Sequence, residues 1–365
     1  LGLVDKVYYD GGHDALVVLL GSHYNFITTL PYQPREANAI VFKRVQKDFR
    51  CDDLKSFYGK LRVDLGYNNS IVFLTAAPVD DHLYVVNNEG TVAVIATVGL
   101  EPPVCPGYGN RYEPLMGTIN VAVVVDYSLT YSALVDLLRV VVEAKSVAVS
   151  ELLLRCDVRS PGTATDAIAV GGRFVEEDGY INMGMLTTVG GWVSGTVYRG
   201  LVGIGLRRLG LEGLLRNIIG LSLDELVNLV VELYKQAPVP GVTVESVRVE
   251  ARRLIEGILR DPNVWSLLVA AREMDLHAIA GSIPWLEVED HLSDSKAIVA
   301  DELLAFALSL YIAGFRGLLA TYWVERLKER GLITLRLPQF EDDVVSALVG
   351  STLSILYTRL LGGGG

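Results

Sequence analysis

Leu221-Ser222-Leu223-Asp224-Glu225-Leu226 is the stretch on which the reading of this chain turns. Ser222 followed three residues later by Glu225 is a capping-box pattern, in which a hydroxyl and a carboxylate satisfy the first free amides of a helix. From there apolar residues recur at helical spacing through 245–259, 262–273, 295–313, 317–330 and 342–360, after a break at Pro238-Val-Pro-Gly241. This half reads as an all-α bundle. Upstream of about Leu209 the texture is different, with short β-rich runs between Gly, Pro and Asn punctuation. The spacing predicts strands at 15–20, 70–75, 91–98, 118–126 and 167–170. It also predicts one strong helix over about 131–154, with the hydroxyls of Asp126-Tyr-Ser-Leu-Thr130 to cap its start. Strands and helix together indicate an α/β or α+β domain.

A chain of 365 residues exceeds one ordinary core, so two domains are expected, over 1–212 and 213–361, with Gly362–Gly365 as a flexible tail. Half the residues are hydrophobic and the mean hydropathy is +0.35. Even so, no run of about eighteen uncharged apolar residues stands out as a membrane span. The best candidate, Ala297 to Phe315, carries Asp301 and Glu302 near its start. It reads as a buried bundle helix or as one facing a membrane surface, which leaves peripheral membrane association and homo-oligomerisation open. The formal charge of −11 argues against nucleic acid as an electrostatic partner. Cys51, Cys105 and Cys156 are odd in number and far apart, which fits a reducing cytoplasm with no disulfide framework and no zinc cluster. Glutamine is confined to Gln33, Gln46, Gln236 and Gln339, and Arg outnumbers Lys, a compositional hint of a thermophilic source. No signal-peptide pattern is visible, and a cytoplasmic location is expected.

Common catalytic signatures are missing: no Walker A loop, His-Glu-x-x-His, paired Cys-x-x-Cys or Gly-x-Ser-x-Gly is present. Gly203-Ile-Gly205 lacks the context of a dinucleotide fingerprint, and His13, His23, His82, His277 and His291 show no ligand spacing. Three features carry chemistry. In Asp294-Ser-Lys-Ala-Ile-Val-Ala-Asp301-Glu302, two helical turns return Asp294 and Asp301 to nearly one face, and Phe340-Glu-Asp342-Asp343 follows. Carboxylates converging in apolar surroundings either share protons or hold a hard cation; an exposed acidic edge is the plain alternative. The helix over 131–154 is mostly apolar yet carries Glu143-Ala-Lys145, two apart and therefore pointing to different sides. Either both reach solvent or they serve a site. Ser160-Pro-Gly-Thr163-Ala-Thr165-Asp166 is a hydroxyl-rich loop before a strand, able to donate to a ligand carbonyl or to place Asp166 as a base, or else a plain self-bonded turn.

Gly117-Thr-Ile-Asn120, the apolar run Val121–Val125, Glu143-Ala-Lys145 and Gly162-Thr-Ala-Thr165-Asp166-Ala resemble the signature blocks of the adenosylcobinamide amidohydrolases. Ile71-Val-Phe-Leu74-Thr-Ala-Ala and Thr28-Thr-Leu-Pro31-Tyr32 fit the same order, over roughly residues 5 to 205. The resemblance implies hydrolysis of the amide joining aminopropanol to the corrin ring, giving adenosylcobyric acid in cobalamin salvage. Asn120, Glu143, Lys145, Thr163, Thr165 and Asp166 are the catalytic candidates, and the corrinoid is substrate rather than cofactor.

The second half, over about 220 to 360, resembles the archaeal α-ribazole-5′-phosphate phosphatases, relatives of phosphatidylglycerophosphatase A. Asp294-x-x-x-Ile-Val-x-Asp301-Glu302, Asp342-Asp343, Gly314-Phe-Arg316-Gly317 and Glu325-Arg326-x-Lys328 carry it, with Glu325 standing where that pattern has Asp. It implies a metal-dependent phosphomonoesterase acting on α-ribazole 5′-phosphate. Mg²⁺ or Mn²⁺ would be held by Asp301, Glu302, Asp342 and Asp343 with Asp294 and Glu325 nearby. Arg316, Arg326 and Lys328 would hold phosphate oxygens. Fused, the halves are similar to the bifunctional archaeal cobalamin-salvage enzymes. A non-catalytic corrinoid-binding protein and a lipid-phosphate phosphatase are the competing readings.

Overall fold

The computed structural model describes residues 2–107, 117–176, 182–293, 298–332 and 336–362. It divides into two compact units, Leu1–Arg208 and Leu209–Gly365. The first contains β1 (Val4–Asp10), β2 (Ala15–Thr28), β3 (Glu36–Arg44), α1 (Leu54–Leu65), β4 (Ser70–Thr75), β5 (Leu83–Val86), β6 (Val92–Val98), β7 (Ile119–Leu129), α2 (Tyr131–Glu151) and β8 (Ala167–Phe174). The helical run α3 (Thr188–Ile218) is interrupted at Gly210. Then follow α4 (Leu223–Lys235), α5 (Val244–Ile258), α6 (Pro262–Ile279), α7 (Val288–Leu292), α8 (Ala300–Glu329) and α9 (Gln339–Gly362).

Among the described residues of the first unit, the strands form one mixed sheet in the order β4-β3-β2-β8-β7-β6-β5, with β1 on β2. The long β2 pairs β1 through its first half and β8 through its second, with a register shift between Leu19 and Tyr24. Pairs β3–β4 and β7–β8 are parallel and the others antiparallel. Every residue of β4 and β6 is buried, as expected of strands covered on both faces. On one face Leu16, Val18, Ile40, Phe42, Ile71, Phe73, Ile95 and Val124 form a continuous apolar layer, with Phe42 and Phe73 stacked at 4.7 Å. On the other, Val17, Val41 and Val72 receive Tyr58, Leu61 and Leu65 of α1. The sheet curls: Asn120 Nδ2 at the start of β7 donates to Leu74 O at the end of β4, 2.9 Å away, although three strands separate these two in the sheet order.

Thr130 caps α2 through Ala133 N, and the capping box at Ser222 forms as its sequence predicts, with Glu225 N on Ser222 Oγ and Ser222 N on Glu225 Oε2. The second half is helical throughout its described elements. Its most consequential break is at Gly314, where φ is +61° and ψ −153°, a region that residues with a Cβ avoid. Ser309 Oγ lies 2.7 Å from Thr321 Oγ1. Twelve residues of straight helix would separate them by about 18 Å, so α8 is folded back at Gly314 into two antiparallel arms. Small residues line the close approach: a Cβ on Gly317 would meet Ser309 O at 2.6 Å.

Two helices, α8 and α9, are long and apolar enough to cross a membrane by length and composition, against the expectation that none is. The fold at Gly314 leaves each arm of α8 about 21 Å long, short of a hydrocarbon core of about 30 Å. The apolar window of α9 is 61% buried within the protein. A second expectation is corrected outright. Cys105 and Cys156 are bonded to each other, with Cα atoms 5.5 Å apart, while Cys51 is free. Their separation of 51 residues hid a pairing that only the return of the chain through α2 creates.

Gly314→Ala is expected to lower the unfolding free energy by about 1–3 kcal/mol, because no L-residue adopts this backbone conformation without strain. Chemical denaturation followed by circular dichroism measures it, and an unchanged midpoint contradicts the folded-back geometry.

Candidate active sites

In the first unit, three separate pieces of sequence meet at the amino ends of the parallel strands β7 and β8. Asp166 is their centre. Its Oδ1 accepts from Ile119 N at 2.9 Å and lies 2.5 Å from Thr163 Oγ1. Its Oδ2 accepts from Thr163 N at 3.0 Å and from Lys145 Nζ at 2.5 Å. Lys145 reaches in from α2 and also donates to Pro161 O at 3.1 Å. Thr163 Oγ1 is within 2.6 Å of Gly117 O, which also accepts from Thr165 Oγ1 at 3.0 Å, and Thr165 Oγ1 is 2.9 Å from Thr118 Oγ1. The side chains of Lys145 and Asp166 are only 9% and 11% exposed, so the charges are held by each other and by the loop rather than by water. Gly162 makes room for this: a Cβ there would sit 2.2 Å from Asp166 Oδ2 and 2.5 Å from Lys145 Nζ.

Of the residues expected to act here, Lys145, Thr163, Thr165 and Asp166 are brought together. Glu143 is not. It pairs with Arg139 one turn earlier at 3.0 Å and its side chain is 44% exposed, as two residues' separation on a helix requires. Asn120 is fully buried: its Nδ2 donates to Leu74 O and clasps the curled sheet, while its Oδ1 has no hydrogen-bond partner among the described residues. Asp166 does not suit the role of base, because three N–H donors already lie on its two oxygens and the Thr163 hydroxyl shares its one proton between Asp166 and Gly117 O. What remains for chemistry among these candidates is the third N–H of Lys145, the Oδ1 of Asn120 and the half-buried hydroxyl of Thr165.

In the second unit the carboxylates do converge. Oxygens of Asp301, Glu302 and Asp343 lie within 4.8 Å of one another, as do those of Glu325, Asp342 and Asp343. Asp294 lies outside the described residues. The arms of α8 explain the meeting, since folding at Gly314 returns Glu325 to the level of Asp301, where α9 begins. Asp301 and Glu302 stand in the first turn of α8 and Asp342 in that of α9, where helix dipoles favour negative charge. That support is incomplete: burial, then the charges of Glu325 and Asp301, push the Asp343 carboxyl up to about 8. Lys328 contacts Asp342 and Glu325 and lies 3.2 Å from Ser346 Oγ. Burial opposes its charge, but the two carboxylates overcome that and raise its pKa. A cavity of about 340 Å³ opens beside the cluster, lined by His291, Leu337, Pro338, Gln339, Asp342 and Asp343 among others. All the donors are hard oxygens, the set that suits Mg²⁺ or Mn²⁺.

Lys328 is thus at the cluster, but its two companions are not. Arg326 pairs with Glu329 on the exposed side of α8. Arg316 sits at the folded tip beside Thr358. Fifteen residues of α9 separate Thr358 from Asp343, about 22 Å. Arg316 therefore cannot hold a phosphate bound at the carboxylates.

The sequence reading missed the buried frame behind this cluster. Asp275 of α6 is fully buried and accepts from Phe340 N at 3.0 Å and Glu341 N at 2.9 Å, capping α9 from outside. Burial pushes its carboxyl up to about 7. His291 Nε2 lies 3.4 Å from it, and Arg272 pairs with Glu341 at 3.0 Å with both side chains almost wholly enclosed. Gln339 Nε2 donates to Asp301 Oδ2 at 2.5 Å. Helical period offered a signal, since Arg272 and Asp275 share the apolar face of Leu268, Ala271 and Leu276.

The family model for adenosylcobinamide amidohydrolase matches residues 4–211. No curated protein matches the chain. Among solved structures, the chain is similar to the low temperature requirement C protein from Listeria monocytogenes at 21% identity, over 39% of this chain and 90% of that one, with a TM-score of 0.32. It is similar to a protein of unknown function from Bacillus stearothermophilus at 20% identity, over 41% and 94%, with a TM-score of 0.33. The ypjQ protein from Bacillus subtilis follows at 16% identity, over 39% and 88%, with a TM-score of 0.32.

The raised carboxyls fix a pH dependence. A folded pKa above the unfolded value means the native state binds the extra proton, so stability falls as pH rises from about 4 to about 8. Without divalent cations, Asp343→Asn is expected to flatten the fall in melting temperature between about pH 5 and pH 8. A parent and a variant with parallel pH profiles would contradict the raised carboxyl.

Proposed function

Because this chain belongs to the adenosylcobinamide amidohydrolase family, we propose that its first unit cleaves the aminopropanol amide of adenosylcobinamide, releasing adenosylcobyric acid. The observation that carries this reading is the junction of Lys145, Asp166, Thr163 and Thr165 on Gly117, assembled from blocks that all lie within the matched residues. Amide cleavage needs a donor for the oxygen that gains negative charge and a proton for the departing amine. Lys145 has one N–H beyond those on Asp166 and Pro161 and serves as that donor. Asp166 aims the Lys145 side chain, while Thr163 and the amide of Ile119 keep Asp166 in place. Thr165, between Thr118 and the Gly117 carbonyl, orients the attacking water and passes its proton to the departing amine. The corrinoid is substrate and contributes no cofactor chemistry to the step.

For the second unit we infer a metal-dependent phosphomonoesterase with α-ribazole 5′-phosphate as substrate, so that the chain serves cobalamin salvage twice. What supports it is the convergence of five carboxylates beside a cavity of about 340 Å³. Asp301, Glu302, Glu325, Asp342 and Asp343 would hold Mg²⁺ or Mn²⁺, which when bound offsets phosphate charge and acidifies water. Gln339 fixes the rotamer of Asp301, and Asp275 fixes the start of α9 from which Asp342 and Asp343 project. Lys328, whose N–H groups lie on Glu325, Asp342 and Ser346, offsets part of the carboxylate charge beside the cavity.

The full-length protein should release aminopropanol from adenosylcobinamide in the presence of chelator, and should release phosphate from α-ribazole 5′-phosphate only with added Mg²⁺ or Mn²⁺. Asp301→Asn is expected to lower phosphate release by about a hundredfold or more while leaving amide hydrolysis within about twofold. Phosphate release that persists in chelator removes the metal reading. Absent aminopropanol removes the substrate assignment of the first unit.

A further inference from the structure

We propose that the Cys105–Cys156 disulfide is a positioning clamp on the amide-hydrolysing site, so that its reduction lowers turnover without unfolding the protein; this rests on the amidohydrolase reading of the first unit. The loop that supplies Thr163 and Asp166 is bonded within itself, through Ser160 Oγ on Gly162 O and Thr163 N on Asp166 Oδ2, and it is also bonded to a second segment. The segment 101–105 lies along it as a short strap: Pro103 forms an antiparallel bridge with Thr163, Val104 N donates to Gly162 O at 2.9 Å, and Ala164 N donates to Pro102 O at 3.3 Å. The strap also presses on the other side of the site, where a Cβ on Gly117 would strike Glu101 O at 1.5 Å. Gly117 O is the carbonyl on which Thr163 and Thr165 converge. A displacement of the strap is therefore felt by the loop, by Gly117 and by the two hydroxyls together.

The disulfide closes this arrangement. Cys105 ends the strap, and Cys156 stands between α2, which carries Lys145, and the loop, which carries Asp166. The bond thus joins the strap to the chain that connects both partners of the Lys145–Asp166 pair. With the bond broken, the backbone hydrogen bonds that hold the strap to the loop among the described residues are Val104 N on Gly162 O and the longer Ala164 N on Pro102 O. Cys105 and Cys156 are 7% and 6% exposed, so a small dithiol reaches them more readily than a protein reductant.

The reaction balances with a dithiol such as dithiothreitol. One reagent thiolate attacks a sulfur of the pair, and the S–S bond breaks with its electrons leaving on the other cysteine. The second reagent thiolate then displaces the first cysteine as the reagent closes to its cyclic disulfide. Two electrons pass to the protein, and both cysteine sulfurs end as thiols.

The test uses the full chain before and after dithiothreitol, with alkylation to count thiols, which should rise from one (Cys51) to three. Reduction is expected to lower kcat for adenosylcobinamide by about tenfold to a hundredfold with a smaller change in KM, and reoxidation to restore it. Cys51→Ser should respond as the parent does, and Cys105→Ala with Cys156→Ala should behave as the reduced protein does. Amide hydrogen exchange at Val104 and Ala164 should speed up on reduction while amides of β6 and β7 stay protected. Unchanged kcat well below a lowered melting temperature marks the bond as merely structural and overturns the clamp. If the oxidised protein hydrolyses no adenosylcobinamide, the function assignment fails instead, and exchange at Val104 and Ala164 decides the clamp alone: protection unaffected by reduction overturns it.

Discussion

A carboxylate shut away from water must find its hydrogen bonds in the protein, and Asp166 finds all of them at one point. Lys145 comes from α2, the Thr163 amide and hydroxyl from the loop, and the Ile119 amide from the start of β7. Each partner fixes the place of a different element, so the helix, the loop and two parallel strands share one anchoring atom group. The polar cost of that burial is met in full, which explains why a glycine is needed at 162 and why hydroxyls crowd the loop. The same saturation makes Asp166 an organiser and leaves Lys145 and Thr165 with the capacity to act on a substrate.

The helical unit solves a harder version of the problem. Arg272 pairs with Glu341 and Asp275 accepts from two backbone amides, and together they fix the first turn of α9. The carboxylates that project from that turn crowd one another, and burial with the charges of Glu325 and Asp301 raises the Asp343 carboxyl. Rigid support behind and a surplus of negative charge facing a cavity in front are what a cation site requires.

How much of this was legible follows from the range of each interaction. Short-range signals were strong: the apolar run Val121–Val125 is a buried strand, Thr130 and Ser222 cap their helices, and the break expected between 313 and 317 falls at Gly314. The helix Thr188–Ile218 was hidden by glycines that lower helix propensity; Gly200 and Gly205 are there because Leu83 and Leu152 pack where a Cβ would stand. Strands β1, β3 and β5 and helix α1 also escaped the reading. Long-range partners were out of reach. Nothing in the spacing of Lys145 and Asp166 reveals their contact, and the same holds for Cys105 with Cys156 and for Arg316, whose basic character suggested a phosphate contact but which the fold sets at the tip of α8 beside Thr358.

The central claim is that Lys145, held by Asp166, is the working cation of the first unit and that Glu143, two residues earlier, is surface. The direct measurement is kcat/KM for adenosylcobinamide in Lys145→Met and Glu143→Gln, each confirmed folded by circular dichroism. Lys145→Met is expected to lose about a thousandfold while Glu143→Gln stays within about twofold of the parent. A folded Lys145→Met enzyme with parental turnover, or a Glu143→Gln enzyme without any, would contradict the account.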